Sequence, residues 1–117
     1  MEDDPQIMIY DNTGRRKYLT ISEREAFIGA THRLRPEAET FCLALAYTGA
    51  RISEILAVTP ERIDIEAGIV IIESLKKRRR GVFRAVPLPA HFLARLEAIH
   101  GLREAQSDPG RRTARIW

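Results

Sequence analysis

Almost nothing in this chain of 117 residues points to secretion, a membrane or a disulfide framework. Its one cysteine, Cys42, can form no internal disulfide, and a lone thiol inside an apolar helical pattern reads as a small packing residue in a reducing compartment. The start of the chain, with Glu2-Asp3-Asp4, is acidic where a secretory leader would be basic and then apolar. No hydrophobic run approaches the ~20 residues that cross a bilayer. These absences lead us to expect a cytoplasmic protein. Internal repeats and low-complexity tracts are also missing. Tyrosine is confined to Tyr10, Tyr18 and Tyr47, a shortage that matters below.

What the chain does have is charge, unevenly placed. Hydrophobic residues make up 44% and charged residues 30%, the balance of a globular chain. A chain of this length buries roughly two-thirds of its unfolded surface, enough for one modest core. It is therefore one small domain or a piece of a larger one. The net charge of +3 understates the polarity. Acid gathers at Glu2-Asp3-Asp4, and base gathers at Arg15-Arg16-Lys17, from Lys76 to Arg84, and at Arg111, Arg112 and Arg115. Clustered base of this kind suits a polyanionic partner.

Residues 1–18 form a polar extension, interrupted by Ile7-Met8-Ile9-Tyr10, a short candidate strand before the Asn12-Thr13-Gly14 turn. Ser22 with Glu25 spells a capping box and predicts a helix running to about His32. Pro36 opens a second helix, with Ala38, Phe41, Cys42, Leu45 and Ala46 as its buried face and Gly49 as its end. Ser53 then caps a short helix reaching about Val58. Ile63-Asp64-Ile65 reads as a brief strand. Strands 69–75 and 82–87 follow, joined by the cationic tip Lys76-Lys77-Arg78-Arg79-Arg80-Gly81. Pro89 starts a last helix, with Phe92, Leu93, Leu96 and Ile99 at helical spacing, and Gly101 closes it. Beyond Arg103 the periodicity vanishes, so 102–117 is expected to be a loose tail. The predicted class is α+β: helices packed with a small three-stranded antiparallel sheet.

Two segments carry chemistry. In Thr48-Gly49-Ala50-Arg51-Ile52-Ser53-Glu54 an apolar helix stops at a glycine and an arginine follows at once. A guanidinium is permanently charged and forks onto two phosphate oxygens, which suits it to stabilising charge on a phosphorane-like transition state. The plainer alternative is a surface arginine favoured by a helix C-terminus. In the hairpin, a lysine near the strand end has a movable pKa and is able to protonate an alkoxide leaving group. Here the alternative is a solvated charge run that blunts edge pairing. The run Lys76, Lys77, Arg78, Arg79, Arg80 and Arg84 exceeds what solubility needs, which favours phosphate binding.

Taken together, Thr48 to Leu56, Ile63-Asp64-Ile65, and the hairpin through Val86-Pro87-Leu88 resemble the tyrosine recombinases, the phage-type integrase family. Leu19-Thr20 with Glu23 resembles the start of that family's catalytic domain, so 19–101 reads as part of one. The resemblance implies double-stranded DNA as partner and a tyrosine that attacks the scissile phosphate, with neither metal nor nucleotide cofactor. It implies that Arg51 is the first catalytic arginine and that Lys76, or its neighbour Lys77, is the hairpin lysine. Lys77, Arg78, Arg79, Arg80 and Arg84 would grip DNA. Glu54 would be structural, bracing the Arg51 turn, since a carboxylate facing DNA repels it.

The chain also departs from that family. All three tyrosines precede Arg51, and the family's nucleophile comes late. His100-Gly101-Leu102-Arg103 spells the family's His-x-x-Arg box but follows the helix at 90–99 directly, where Gly101 is better read as a helix stop. The expectation is a truncated catalytic domain, inactive alone, completed by a homodimer partner or a second polypeptide. The competing reading is a non-catalytic winged helix-turn-helix regulator, with 53–58 in the groove and the hairpin as wing.

Overall fold

The computed structural model describes residues 20–74 and 81–117. The strand expected at Ile7–Tyr10 and the cationic tip Lys76–Arg80 lie outside the described residues.

Helix α1 spans Ile21–Thr31 and is capped by Thr20, not Ser22. The Thr20 hydroxyl accepts the Glu23 N–H at 3.1 Å, and the Glu23 carboxylate accepts the Thr20 N–H at 3.0 Å. Two overlapping pairs, Thr20/Glu23 and Ser22/Glu25, spell the same box. Once a helix is nucleated each further residue adds a hydrogen bond, so the earlier cap prevails. Helix α2, Pro36–Thr48, starts on its proline and ends at Gly49, whose φ of 66° is left-handed. Its buried residues are Glu39, Thr40, Leu43 and Ala44, a rotation from the expected stripe of Ala38, Phe41, Cys42, Leu45 and Ala46, which is only half-buried. Apolarity alone misplaces the face because Glu39 and Thr40 are buried together with polar partners from other helices.

After Gly49 the chain turns into α3, Ile52–Leu56, with Arg51 rather than Ser53 at the cap position. Glu54 sets this start, because its carboxylate takes the Arg51 N–H. A single 3-10 turn at Pro60–Arg62 leads into β1, Ile63–Asp64. Strands β2, Ile69–Glu73, and β3, Phe83–Pro87, complete a sheet of order β1-β2-β3, antiparallel throughout. The register sets Ile63 opposite Val70, Val70 opposite Val86, and Ile72 opposite Arg84. Val70 and Ile72 therefore point into the core, and Arg84 stands on the same face of the sheet.

Helix α4, Ala90–His100, lays Phe92, Leu93 and Leu96 against Leu43, Ile55, Val58 and the inner sheet face. The arrangement is α+β, helices against a small three-stranded antiparallel sheet.

The segment 102–117, expected to be loose, is packed. Gly101, with φ of 60°, ends α4 and leads straight into α5, Leu102–Ser107, whose Leu102 and Ala105 are buried. The Gln106 amide donates to the carbonyls of Pro60 and Ile63 at 2.9 and 2.7 Å. Farther on, Arg112 accepts the Glu61 N–H, and the Ile116 N–H donates to Val58. Trp117 lies edge-on to both Phe41 and His100, and its indole N–H donates to Thr40 Oγ1 at 3.0 Å. Isolated long-range bonds hold this segment, which is why no periodicity announces it. Among the described residues no helix is long and apolar enough to cross a membrane.

Candidate functional site

Arg51 sits where α2 has ended and α3 begins, its side chain exposed. The turn beneath it is built locally. The Thr48 hydroxyl donates to Ala44 O at 2.7 Å while accepting the Ala50 N–H at 3.1 Å, which steers the backbone out of the helix. Two residues past Gly49, the Arg51 N–H is taken by Glu54 Oε1 at 3.1 Å. Glu54 is only 5% exposed, so a charge this deep requires charged or hydrogen-bonding company.

Part of that company comes from the hairpin. Arg84 Nη2 donates to the same Glu54 Oε1, also at 3.1 Å. One carboxylate oxygen thus joins the backbone of the Arg51 turn to a side chain of β3. Arg84 remains 43% exposed, so only part of its guanidinium is committed to Glu54. Among the described residues no side chain pairs with the Arg51 guanidinium.

Arg51, Glu54 and Arg84 are therefore brought together. Lys76, Lys77, Arg78, Arg79 and Arg80 lie outside the described residues, and the strand pairing on either side of them is described as far as Ser74 and Gly81. The Ser74 N–H donates to Val82 O at 2.8 Å, continuing the β2–β3 ladder, and the Gly81 N–H reaches the Glu73 carboxylate at 3.2 Å. Sequence reasoning missed the Arg84–Glu54 tie. The available signal was strand parity, since Arg84 shares its face with Val86. It also missed Arg62, whose guanidinium lies 4.8 Å over the Phe83 ring on the opposite face of the hairpin.

The His100–Arg103 box has other employment. His100 Nε2 lies 2.7 Å from Thr40 Oγ1, and burial holds this imidazole below the usual histidine range. Arg103 faces Glu66 across an exposed gap of 3.4 Å. Tyr47, the one described tyrosine, lies upstream on α2 with its hydroxyl 3.1 Å from His91 Nε2.

A helix stopped by glycine, an arginine on the next turn, a buried glutamate beneath it and a basic hairpin tied back to both define a recognisable class. The chain belongs to the phage integrase family, which matches residues 17–112 and so takes in α5 as well as the site. Among solved structures, the chain is similar to that of XerA recombinase, with a TM-score of 0.60 and 21% identity. That similarity covers 84% of this chain and 36% of the recombinase, so the chain spans about a third of that protein's length. At this identity the likeness speaks for the fold. No curated protein matches.

Proposed function

We propose that these residues grip the backbone of double-stranded DNA in site-specific recombination or integration. Arg51 neutralises the scissile phosphate, and Lys76, or Lys77 beside it, serves the leaving oxygen. Lys77, Arg78, Arg79 and Arg80 hold flanking phosphates, and Arg84 stands at the base of the same hairpin. Glu54 supports the Arg51 turn. The reading calls for no metal or nucleotide cofactor. The observation that carries it is the single carboxylate oxygen shared by the Arg51 N–H and Arg84, which anchors the root of the hairpin beside the exposed arginine.

The covalent step in this family needs a tyrosine that follows Arg51, and these residues contain none. We therefore place phosphate gripping in these residues and the nucleophile outside them. A nicked suicide substrate should yield no covalent adduct with these residues alone. Phosphate contacts make affinity fall with salt, by a logarithmic slope of about −0.9 per neutralised phosphate. Alanines at Lys76, Lys77, Arg78, Arg79 and Arg80 should flatten that slope. An unchanged slope would remove the hairpin from the DNA surface.

The winged-helix alternative has less support. Helix α3 is five residues long and turns Glu54 and Ile55 inward, leaving little to read bases. A strong sequence preference in site selection would revive it.

A further inference from the structure

We propose that the DNA-gripping surface extends from Arg51 onto α1, where the Arg24 guanidinium takes a further backbone phosphate of the same duplex. This rests on the reading of Arg51 as a phosphate-gripping residue.

Arg24 stands near the start of α1, and its side chain crosses to the end of α2. Its Nε donates to Ala46 O at 3.0 Å, and its Cζ lies 5.6 Å from the centre of the Tyr47 ring. Tyr47 is itself held, with its hydroxyl 3.1 Å from His91 Nε2 and its ring against the fully buried Phe92. The guanidinium is therefore fixed by one nitrogen and by its flat face, while the residue stays exposed. Neither terminal nitrogen has a partner among the described residues. The acidic neighbours Glu23 and Glu25 are each one residue away, and residues so spaced on a helix do not face each other.

The location ties this group to Arg51. Ala46 lies in the last turn of α2, the helix that Gly49 stops so that Arg51 emerges. Only Tyr47, Thr48, Gly49 and Ala50 separate the two residues, a span on the order of 10 Å. Charges along one DNA strand repeat about every 3.4 Å of helix axis, so the two guanidiniums are spaced for phosphates a few nucleotides apart. The plainer role for Arg24 is to close the C-terminal end of α2. That role uses Nε alone. The charge and the unpaired fork are surplus to it, and they are what a phosphate binds.

Arg24→Gln separates the two roles. The glutamine amide nitrogen stands as many bonds from the backbone as arginine Nε, so it is able to donate to Ala46 O, but charge and fork are gone. The test measures duplex DNA binding over a range of salt, with folding followed by circular dichroism. Arg24→Gln should stay folded and bind about tenfold more weakly, the scale of one lost charge-assisted bond. It should also reduce the logarithmic salt slope by about 0.9, one phosphate. Arg24→Lys keeps the charge and should keep the slope. An unaltered slope in Arg24→Gln would leave Arg24 as a helix cap and overturn the proposal, as would a slope reduced equally in Arg24→Lys. A second measurement needs no variant and covers the case in which Arg24→Gln fails to fold. Phenylglyoxal labelling of the unaltered chain, mapped by mass spectrometry, should be suppressed at Arg24 by duplex DNA, and equal labelling with and without DNA would overturn the role. Absence of salt-dependent binding by the unaltered chain would instead overturn the functional reading and this role with it.

Discussion

Glu39 and Glu54 are both carboxylates sunk almost out of solvent, at 7% and 5% exposure, and each holds an arginine from far along the chain. They are satisfied in different ways. Glu39 Oε1 takes two nitrogens of Arg95, at 2.8 and 3.1 Å, while Oε2 takes His32 Nδ1 at 3.0 Å. Its partners are the residue that caps the end of α1 and a side chain of α4, so the cluster closes on itself and pins three helices together. Glu54 spends one oxygen on a backbone N–H and one Arg84 nitrogen, fixing a turn whose own side chain stays outside. Burial of a charge therefore does not by itself mark a working site. What distinguishes the two is whether a neighbouring charge is left for something else to bind.

The comparison breaks most readily at Arg95. Its removal leaves Glu39 with only His32, and although Arg95 is 44% exposed we expect a loss of about 2–3 kcal/mol in urea unfolding. Salt-dependent DNA binding of the folded fraction should not change. Trp117→Ala should follow at about 2 kcal/mol, less than a fully buried tryptophan because the ring is half-exposed. A change under a few tenths would mean that the tail is not docked. Arg84→Ala should cost only about 1 kcal/mol, since Arg84 gives Glu54 one nitrogen where Arg95 gives Glu39 two, and Glu54 keeps the Arg51 N–H. Unlike the other two, it should impair DNA binding. If Arg95→Ala impaired binding and Arg84→Ala did not, the contrast between the clusters would be reversed.

Acid gives the smallest and most graded test. Burial depresses His100, so the folded chain resists protonation that the unfolded chain accepts. That contribution is complete above the ordinary histidine value, roughly 6.5, and is lost as pH falls towards the folded value. A slight drop in melting temperature between pH 7.5 and 5.5 is expected, and His100→Gln should abolish it. Glu39 is likewise depressed, chiefly by the Arg95 hydrogen bond. Its contribution is intact above the ordinary carboxylate value, roughly 4.3, and disappears as pH falls through the folded value. The steeper loss in strong acid should be missing from Arg95→Ala.

Features that local chemistry decides were legible in the sequence. Pro36 and Gly49 bound α2, Pro89 and Gly101 bound α4, and strand alternation gives the sheet, because each depends on residues within a turn or two. Arg51 and Glu54 were legible for the same reason. Burial of Glu39 and Thr40 was not. It depends on Arg95, His100 and Trp117, which lie 56, 60 and 77 residues away. The tie from Arg84 to Glu54 was not legible either, because composition does not say which face of a strand a residue occupies. The register opposite Ile72 does. The tail was misread because isolated backbone bonds to Val58 and Glu61 have no periodic signature.

The docked Trp117 has a practical consequence. It is the only indole in the chain, wedged between Phe41 and an imidazole that resists protonation. Its fluorescence is a built-in gauge: release of the tail should shift emission to the red, and a charged His100 ring should quench it, so detachment and titration can be watched separately in one cuvette without a label.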